Sequence, residues 1–169
     1  MTDSKADEAG KSGAFNLDRF FPYLTRIYYR AVSESVSSIY TKEFGLTASE
    51  WRTMAVLGSY HSLSASDIVA HSSMDKVNVS RAVKGLQARG FLKRDVDDDD
   101  RRRAVLRLTD AGQKAFNTLV PMVRAREDEC LAGLTAEERT ALISMMEKVR
   151  INATNLLRPN DKADESTST

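Results

Sequence analysis

The sequence predicts a mainly α-helical chain carrying one two-stranded β-hairpin, and three observations predict it. Apolar residues recur at three- and four-residue steps through most of residues 15–158, the spacing of helices with one buried stripe. Helix-opening signatures, in which a Ser or Thr hydroxyl and an acid three residues later each satisfy an orphan backbone donor, stand at Thr47–Glu50, Ser64–Asp67 and Thr135–Glu138. Only between Leu92 and Leu108 does the period fall to two.

The elements follow in order. Leu17, Phe20, Phe21, Leu24, Ile27, Tyr28, Ala31, Val32 and Ile39 mark a long amphipathic helix from Phe15 to about Thr41, interrupted at Gly45. The Thr47 box opens a second helix to about Gly58, and the Ser64 box a short third one that stops near Ser72. Asp75 caps a fourth helix running to Arg89, after which Gly90 takes the left-handed conformation. At 100° per residue Val79, Ala82, Val83 and Leu86 gather on one side of it, while Val77, Asn78, Ser80, Arg81 and Lys84 project from the other. Leu92–Val96 and Ala104–Leu108 pair as strands, with Ala104, Leu106 and Leu108 facing one way, Arg103, Val105 and Arg107 the other, and 97–102 as the connecting loop. Thr109 caps a long helix that Pro121 is expected to kink and Gly133 to end; the Thr135 box opens a last helix reaching Pro159.

Composition bounds the function. The 169 residues are 41% apolar and 29% charged, enough for one core of ordinary size without disulfides or metal. A lone cysteine, Cys130, excludes an intramolecular disulfide framework and is expected to be an inert core thiol on an apolar stripe. The polar opening MTDSKADEAGKSG has no signal-peptide core, and no stretch approaches the roughly 18 to 20 apolar residues of a membrane span. The expectation is a cytoplasmic protein with no membrane partner. Residues 1–13 and 159–169 are polar tails expected to be disordered, leaving one domain over 14–158.

Net charge is only +1, but its distribution is uneven: ten of the 25 basic residues fall between Lys76 and Arg107, flanking one block of aspartates at 95 and 97–100. Helix, short helix, tight turn, polar-faced helix and charged hairpin together make a winged helix-turn-helix, in which one helix enters the major groove of DNA and the hairpin reaches the backbone or minor groove. Asn78 and Arg81 suit adenine and guanine; Lys76, Ser80 and Lys84 suit phosphate or a base edge; Val77 suits a thymine methyl. The plainer alternative is a solvated helix face, and the adjacent hairpin weighs against it.

From Gly45 to Gly112 the chain resembles the MarR family of bacterial transcriptional regulators. The segments that carry the resemblance are GLTASEWRTMAVL, SASDIVAHSSMDKVNVSRAVKGLQARGFLKR and DDRRRAVLRLTDAG. The last is the most specific: Asp100, two basic residues at Arg101 and Arg102, an apolar strand, then Leu108-Thr109 and Gly112. The resemblance implies a DNA-binding lobe at about 46–112, dimerisation helices at about 15–44 and 113–158, and a homodimer on double-stranded DNA. It implies that Arg101 or Arg102, beside Arg103, enters the minor groove with Asp100 buttressing an arginine. Asp98 stands where the family often has proline.

Physics argues for the dimer as well, because the flanking helices carry wide apolar stripes that a lobe of about 60 residues cannot cover. Such a pair demands a pseudo-palindromic site with half-sites about 10 base pairs apart. The resemblance also implies a pocket for small anionic aromatic effectors, to which Trp51, His61, Arg19 and Arg26 would bring stacking and charge. The plainer reading gives Trp51 to hinge packing, leaves the arginines solvated, and makes His71 a helix C-cap partner.

Other classes fare worse. Asp95, Asp97 and Asp99 mimic the start of a calcium loop, but Asp100 and Leu106 fall where that loop needs Gly and a bidentate Glu, so no metal is expected. Two histidines, one cysteine and no Gly-rich phosphate loop leave neither a visible catalytic pair nor a cofactor site, and no enzyme is expected. The reading is therefore a palindrome-binding regulator, a repressor released by a small aromatic carboxylate-like ligand. Its competitor is a DNA-independent helical dimer acting as a protein-interaction module.

Overall fold

Pro22 decides where the first long helix begins. Proline has no amide hydrogen to give a helix interior but fits its first turn. The helix expected from Phe15 is therefore a 3-10 turn over Leu17–Arg19, capped by the Asn16 side chain, followed by α1 (Phe21–Phe44) with Pro22 in its opening turn. Then come α2 (Ala48–Tyr60), α3 (Ala65–Ser72), α4 (Lys76–Ala88), β1 (Leu92–Val96), β2 (Ala104–Leu108), α5 (Asp110–Cys130) and α6 (Ala136–Leu156). This computed structural model describes residues 15–96 and 104–157. The chain divides into two units, one ending at Glu127 and one beginning at Asp128.

Local chemistry accounts for most boundaries. All three capping boxes are complete, each hydroxyl accepting from a backbone N–H while the acid three residues on accepts from the cap residue's own N–H. Gly90 follows α4 at φ 71°. Thr109 joins the hairpin to α5: its hydroxyl donates to the Gly90 carbonyl at 2.6 Å and accepts from the Gly112 amide at 3.1 Å. α5 remains helical through Pro121.

The strands pair antiparallel from Leu92 opposite Leu108 to Val96 opposite Ala104, within the limits that alternation marked out. Burial does not alternate as expected, for Val105 and Leu106 are 1% and 3% exposed. Leu63 in the α2–α3 connection bridges the far edge of β2, accepting from Leu106 N at 2.8 Å and donating to Leu106 O at 3.3 Å. With backbone on both edges, β2 is an inner strand at its centre.

In the first unit, Met54 and Leu57 of α2, Ile68 of α3, Val79 and Leu86 of α4, Leu92 and Leu106 of the hairpin, and Ala115 and Leu119 of α5 form one core cluster with Tyr40 and Leu46. α4 approaches α2 closely at Gly85, where a Cβ would collide with the Glu50 carboxylate. In the second unit Arg139 holds the start of α6 to the chain before it, donating to Asp128 Oδ1 at 2.7 Å and to the Leu131 carbonyl at 3.2 Å. α6 has no buried residue. No helix among the described residues is long and apolar enough to cross a membrane.

The two sides of α4 differ in what they contribute to stability. Leu86→Ala is expected to cost about 2–5 kcal/mol, and Val77→Ala on the opposite side less than about 0.5 kcal/mol, in urea unfolding at one protein concentration.

Candidate nucleic-acid interface

α3 and α4 are joined by a turn in which Ser73 adopts a left-handed φ of 54° and Asp75 caps α4, its Oδ1 accepting from the Asn78 amide at 2.7 Å. The helix that follows is two-sided. Val79, Ala82 and Leu86 are buried at 1%, 2% and 0% exposure, with Val83 half-buried. Lys76, Val77, Asn78, Ser80, Arg81 and Lys84 are all exposed. The structure thus brings these six residues of the sequence-based set together on one outward face.

That face is partly organised from within. The second oxygen of Asp75 accepts from Asn78 Nδ2 at 2.7 Å. A carboxylate only accepts, so the bond settles which end of the Asn78 amide is nitrogen. The Asp75 carboxyl is held below the usual carboxylate range chiefly by the bond from the Asn78 backbone, helped by the Asn78 side chain and the positive charge of Arg81.

Beside α4 lies a concavity of about 440 Å³. Val69, Val79, Val83 and Leu106 supply apolar lining, Lys76, Ser80, Lys84 and Arg94 polar lining, and Ala65 and Ser66 bring in the first turn of α3. Arg94 and Ser66 were not singled out from the sequence. Arg94 was recoverable, because it stands opposite Leu106 in the strand register and cross-strand partners share a face. Arg101, Arg102 and Arg103, together with Asp98 and Asp100, lie outside the described residues.

The residues expected to serve an effector stand on three elements, the 3-10 turn, α1 and α2 with its cap. Trp51 is half-buried and stacks on Tyr40 and Phe116, with ring centroids 5.8 and 6.2 Å away. Arg19 stands exposed in the 3-10 turn, Arg26 exposed on α1, and His61 exposed as the C-cap of α2. An arginine that sequence reasoning passed over has a side-chain partner on α1. Arg52 is half-buried and donates from Nη2 to the Tyr29 hydroxyl at 3.4 Å, and that bond chiefly holds the Tyr29 hydroxyl below the ordinary tyrosine range. The two lie 23 residues apart, and no sequence signal links them.

Two further expectations are corrected. His71 does not cap α3; its ring packs 4.3 Å from that of Tyr60, and left-handed Ser73 closes the helix. Cys130 is exposed rather than in the core, because the inward stripe of α5, through Gly112, Ala115 and Leu119, ends well before its last residue.

The family profile described as MarR family matches residues 44–103, the stretch from the end of α1 through the hairpin loop. Among curated proteins, the HTH-type transcriptional regulator YdgJ of Bacillus subtilis is 29% identical over 112 residues, covering 66% of this chain and 68% of that one. Over residues 44–103 the chain is similar to the MarR family. It spans about two thirds of the length of the first curated relatives it matches. A MarR/EmrR family transcriptional regulator from Acinetobacter is 26% identical to this chain, with a TM-score of 0.77 over 83% of it and 99% of the other. The Bordetella bronchiseptica protein BpsR, solved to explain how 6-hydroxynicotinic acid regulates its DNA binding, shares the fold at 23% identity, with a TM-score of 0.73 over 82% of this chain and 98% of its own. The fold is therefore a winged helix-turn-helix, with α3 and α4 as its two helices and β1–β2 as its wing.

The lowered Asp75 pKa makes a signed prediction. A carboxylate whose folded pKa is depressed adds stability that is fully present above its unfolded value, about 3.9, and lost as pH falls through the folded one. Asp75→Ala should therefore lower Tm at neutral pH, with the difference from wild type closing on acidification below about pH 4. Asp75→Ser, which keeps a capping oxygen, should recover Tm without that pH dependence.

Proposed function

We propose that this chain works as a homodimeric, sequence-specific DNA-binding regulator that represses from a pseudo-palindromic operator and is released by a small aromatic carboxylate-like ligand. The observation that carries the reading is the two-sidedness of α4: an apolar side sealed at 0–2% exposure and an opposite side offering Lys76, Val77, Asn78, Ser80, Arg81 and Lys84 to solvent. A helix so anchored presents a fixed array of donors to the major groove. In this reading Arg81 forks onto guanine and Asn78 reads adenine. Lys76, Ser80 and Lys84 hold backbone or base edge, Val77 meets a thymine methyl, and Arg101, Arg102 and Arg103 carry the wing into the minor groove. Arg94 adds positive charge between wing and helix.

The dimer is supported by apolar surface left uncovered. On α1 and the residues leading into it, Phe15, Phe21, Tyr28 and Val32 are exposed, and on α6 so are Ile143, Met146, Ile151 and Leu156, at 44–85%. Patches of that kind mark interfaces. For the effector, the Bordetella protein named above supplies the chemical precedent, a small hydroxylated aromatic acid. We assign the ligand's anionic group to Arg52, which is half-buried beside a phenol, in preference to the exposed Arg19 and Arg26. The Trp51 stack lies on the same helix, and His61 at its far end.

Selection of bound duplexes from a random pool tests the reading directly. A two-fold repeat should emerge, with log affinity falling by about 0.9 per neutralised phosphate for each unit of log salt. Arg81→Ala should cost about 1–3 kcal/mol on that operator and relax the preference at one base position. An unchanged variant would favour the protein-interaction module instead. In a panel of aromatic carboxylates, the compound that releases the wild-type protein should fail to release Arg52→Ala.

A further inference from the structure

Three elements of the first unit meet on one guanidinium. Arg89, which closes α4, donates from Nη1 to the Phe44 carbonyl at 3.2 Å and from Nη2 to the Gly45 carbonyl at 2.8 Å, and its Nε stands 3.5 Å from Glu50 Oε1. Phe44 ends α1, Gly45 is its left-handed cap at φ 62°, and Glu50 lies in the first turn of α2. Glu50 is itself buried at 6% exposure, and its other oxygen accepts from the Thr47 amide at 2.8 Å. The same carboxylate packs against Gly85 of α4, where a Cβ would collide with it.

The chemistry of this knot is selective. A buried carboxylate needs a paired cation and hydrogen bonds on its oxygens, and Glu50 has both. Arginine suits the role because its rigid fork presents donors in several fixed directions; a lysine ammonium on a flexible stem does not reproduce that pattern. Arg89 falls in the basic stretch that reads as attraction for phosphate, yet three of its donors are directed at protein groups.

Leverage gives the knot its consequence. Asn78 lies eleven residues before Arg89, about 16 Å along a helix rising about 1.5 Å per residue. A tilt of about 10° at the Arg89 end would carry Asn78 sideways by about 3 Å, a full hydrogen-bond length. Base reading tolerates far less.

We propose that Arg89, acting through Glu50 and the Phe44 and Gly45 carbonyls, is a positioning residue for DNA recognition: it sets the angle at which the outer face of α4 meets the groove and does not itself contact DNA. The proposal rests on the DNA-binding reading above. Its test uses the full chain, the selected operator and a scrambled duplex of equal length, each titrated at several salt concentrations. The proteins are wild type, Arg89→Lys, Arg89→Gln, Glu50→Gln and the Arg89→Lys/Glu50→Gln double variant. Glutamine at position 50 keeps the capping box and lysine at position 89 keeps the charge, so Glu50→Gln and Arg89→Lys spare the fold.

Arg89→Lys and Glu50→Gln should each weaken operator binding about tenfold or more, a loss of about 1.4 kcal/mol by the usual conversion, while the scrambled duplex and the salt slope stay at wild-type values. The double variant should be no worse than the weaker single one, as expected of two parts of one device. Two results would overturn the proposal. If Arg89→Lys matches wild type while Arg89→Gln weakens both duplexes and takes about one unit from the salt slope, Arg89 is a phosphate contact. If Tm falls with operator affinity unchanged, the knot is structural only. A wild-type chain that selects no duplex at all would sink the DNA reading itself, an outcome separable from both.

Discussion

The architecture of the first unit turns on how α4 is held, because a helix can offer one side to a partner only if the other is sealed. Val79, Ala82 and Leu86 are buried, and Val79 and Leu86 share one cluster with residues of α2, α3, the hairpin and α5. Fully burying a side chain such as Val or Leu is worth about 1.5–3 kcal/mol, more than any exposed polar contact on the outer side returns. The inner side thus sets where α4 sits, and the outer side is free to be chosen for recognition. Gly85 is the geometric condition for this, since a side chain there would displace Glu50 and with it the tie between α4 and the α1–α2 junction.

Electrostatics follows from that placement rather than from net charge. The chain sums to +1, yet Lys76, Lys84 and Arg94 converge around a concavity with an apolar floor. Low-dielectric walls with charges of one sign focus a field that attracts phosphate. Asp75 plays an opposite part, placing a negative charge on the outer side of α4, where it caps the helix and fixes the Asn78 amide. Such a group lowers indiscriminate attraction while ordering a side chain suited to reading bases. The exposed apolar residues of α1 and, separately, of α6 show that neither unit covers all of its own hydrophobic surface.

The elements were legible in the residues wherever the governing contact is local. The three capping boxes, the Asp75 cap, the left-handed Gly90 and both strand limits follow from groups within a few positions of one another. So does the inward and outward division of α4, which only the 3.6-residue period decides. The start of α1 was misjudged because apolar periodicity runs on past Pro22, whose missing donor is the stronger local signal. The second backbone partner of β2 was invisible for another reason: it is Leu63, more than forty residues upstream.

Sequence alone was sufficient for the helix order, the hairpin and the outward set from Lys76 to Lys84, because hydrogen bonds and periodicity within a short stretch of chain dictate them. Folding alone decided that Arg89 reaches back to Phe44 and Gly45, that Arg52 finds Tyr29, that Trp51 stacks between residues of α1 and α5, that His71 packs on Tyr60, and that Cys130 lies outside the core. These pairings join residues 11 to 65 positions apart. Which of many chemically acceptable partners a side chain meets depends on the packing of whole helices, and no local pattern encodes that choice.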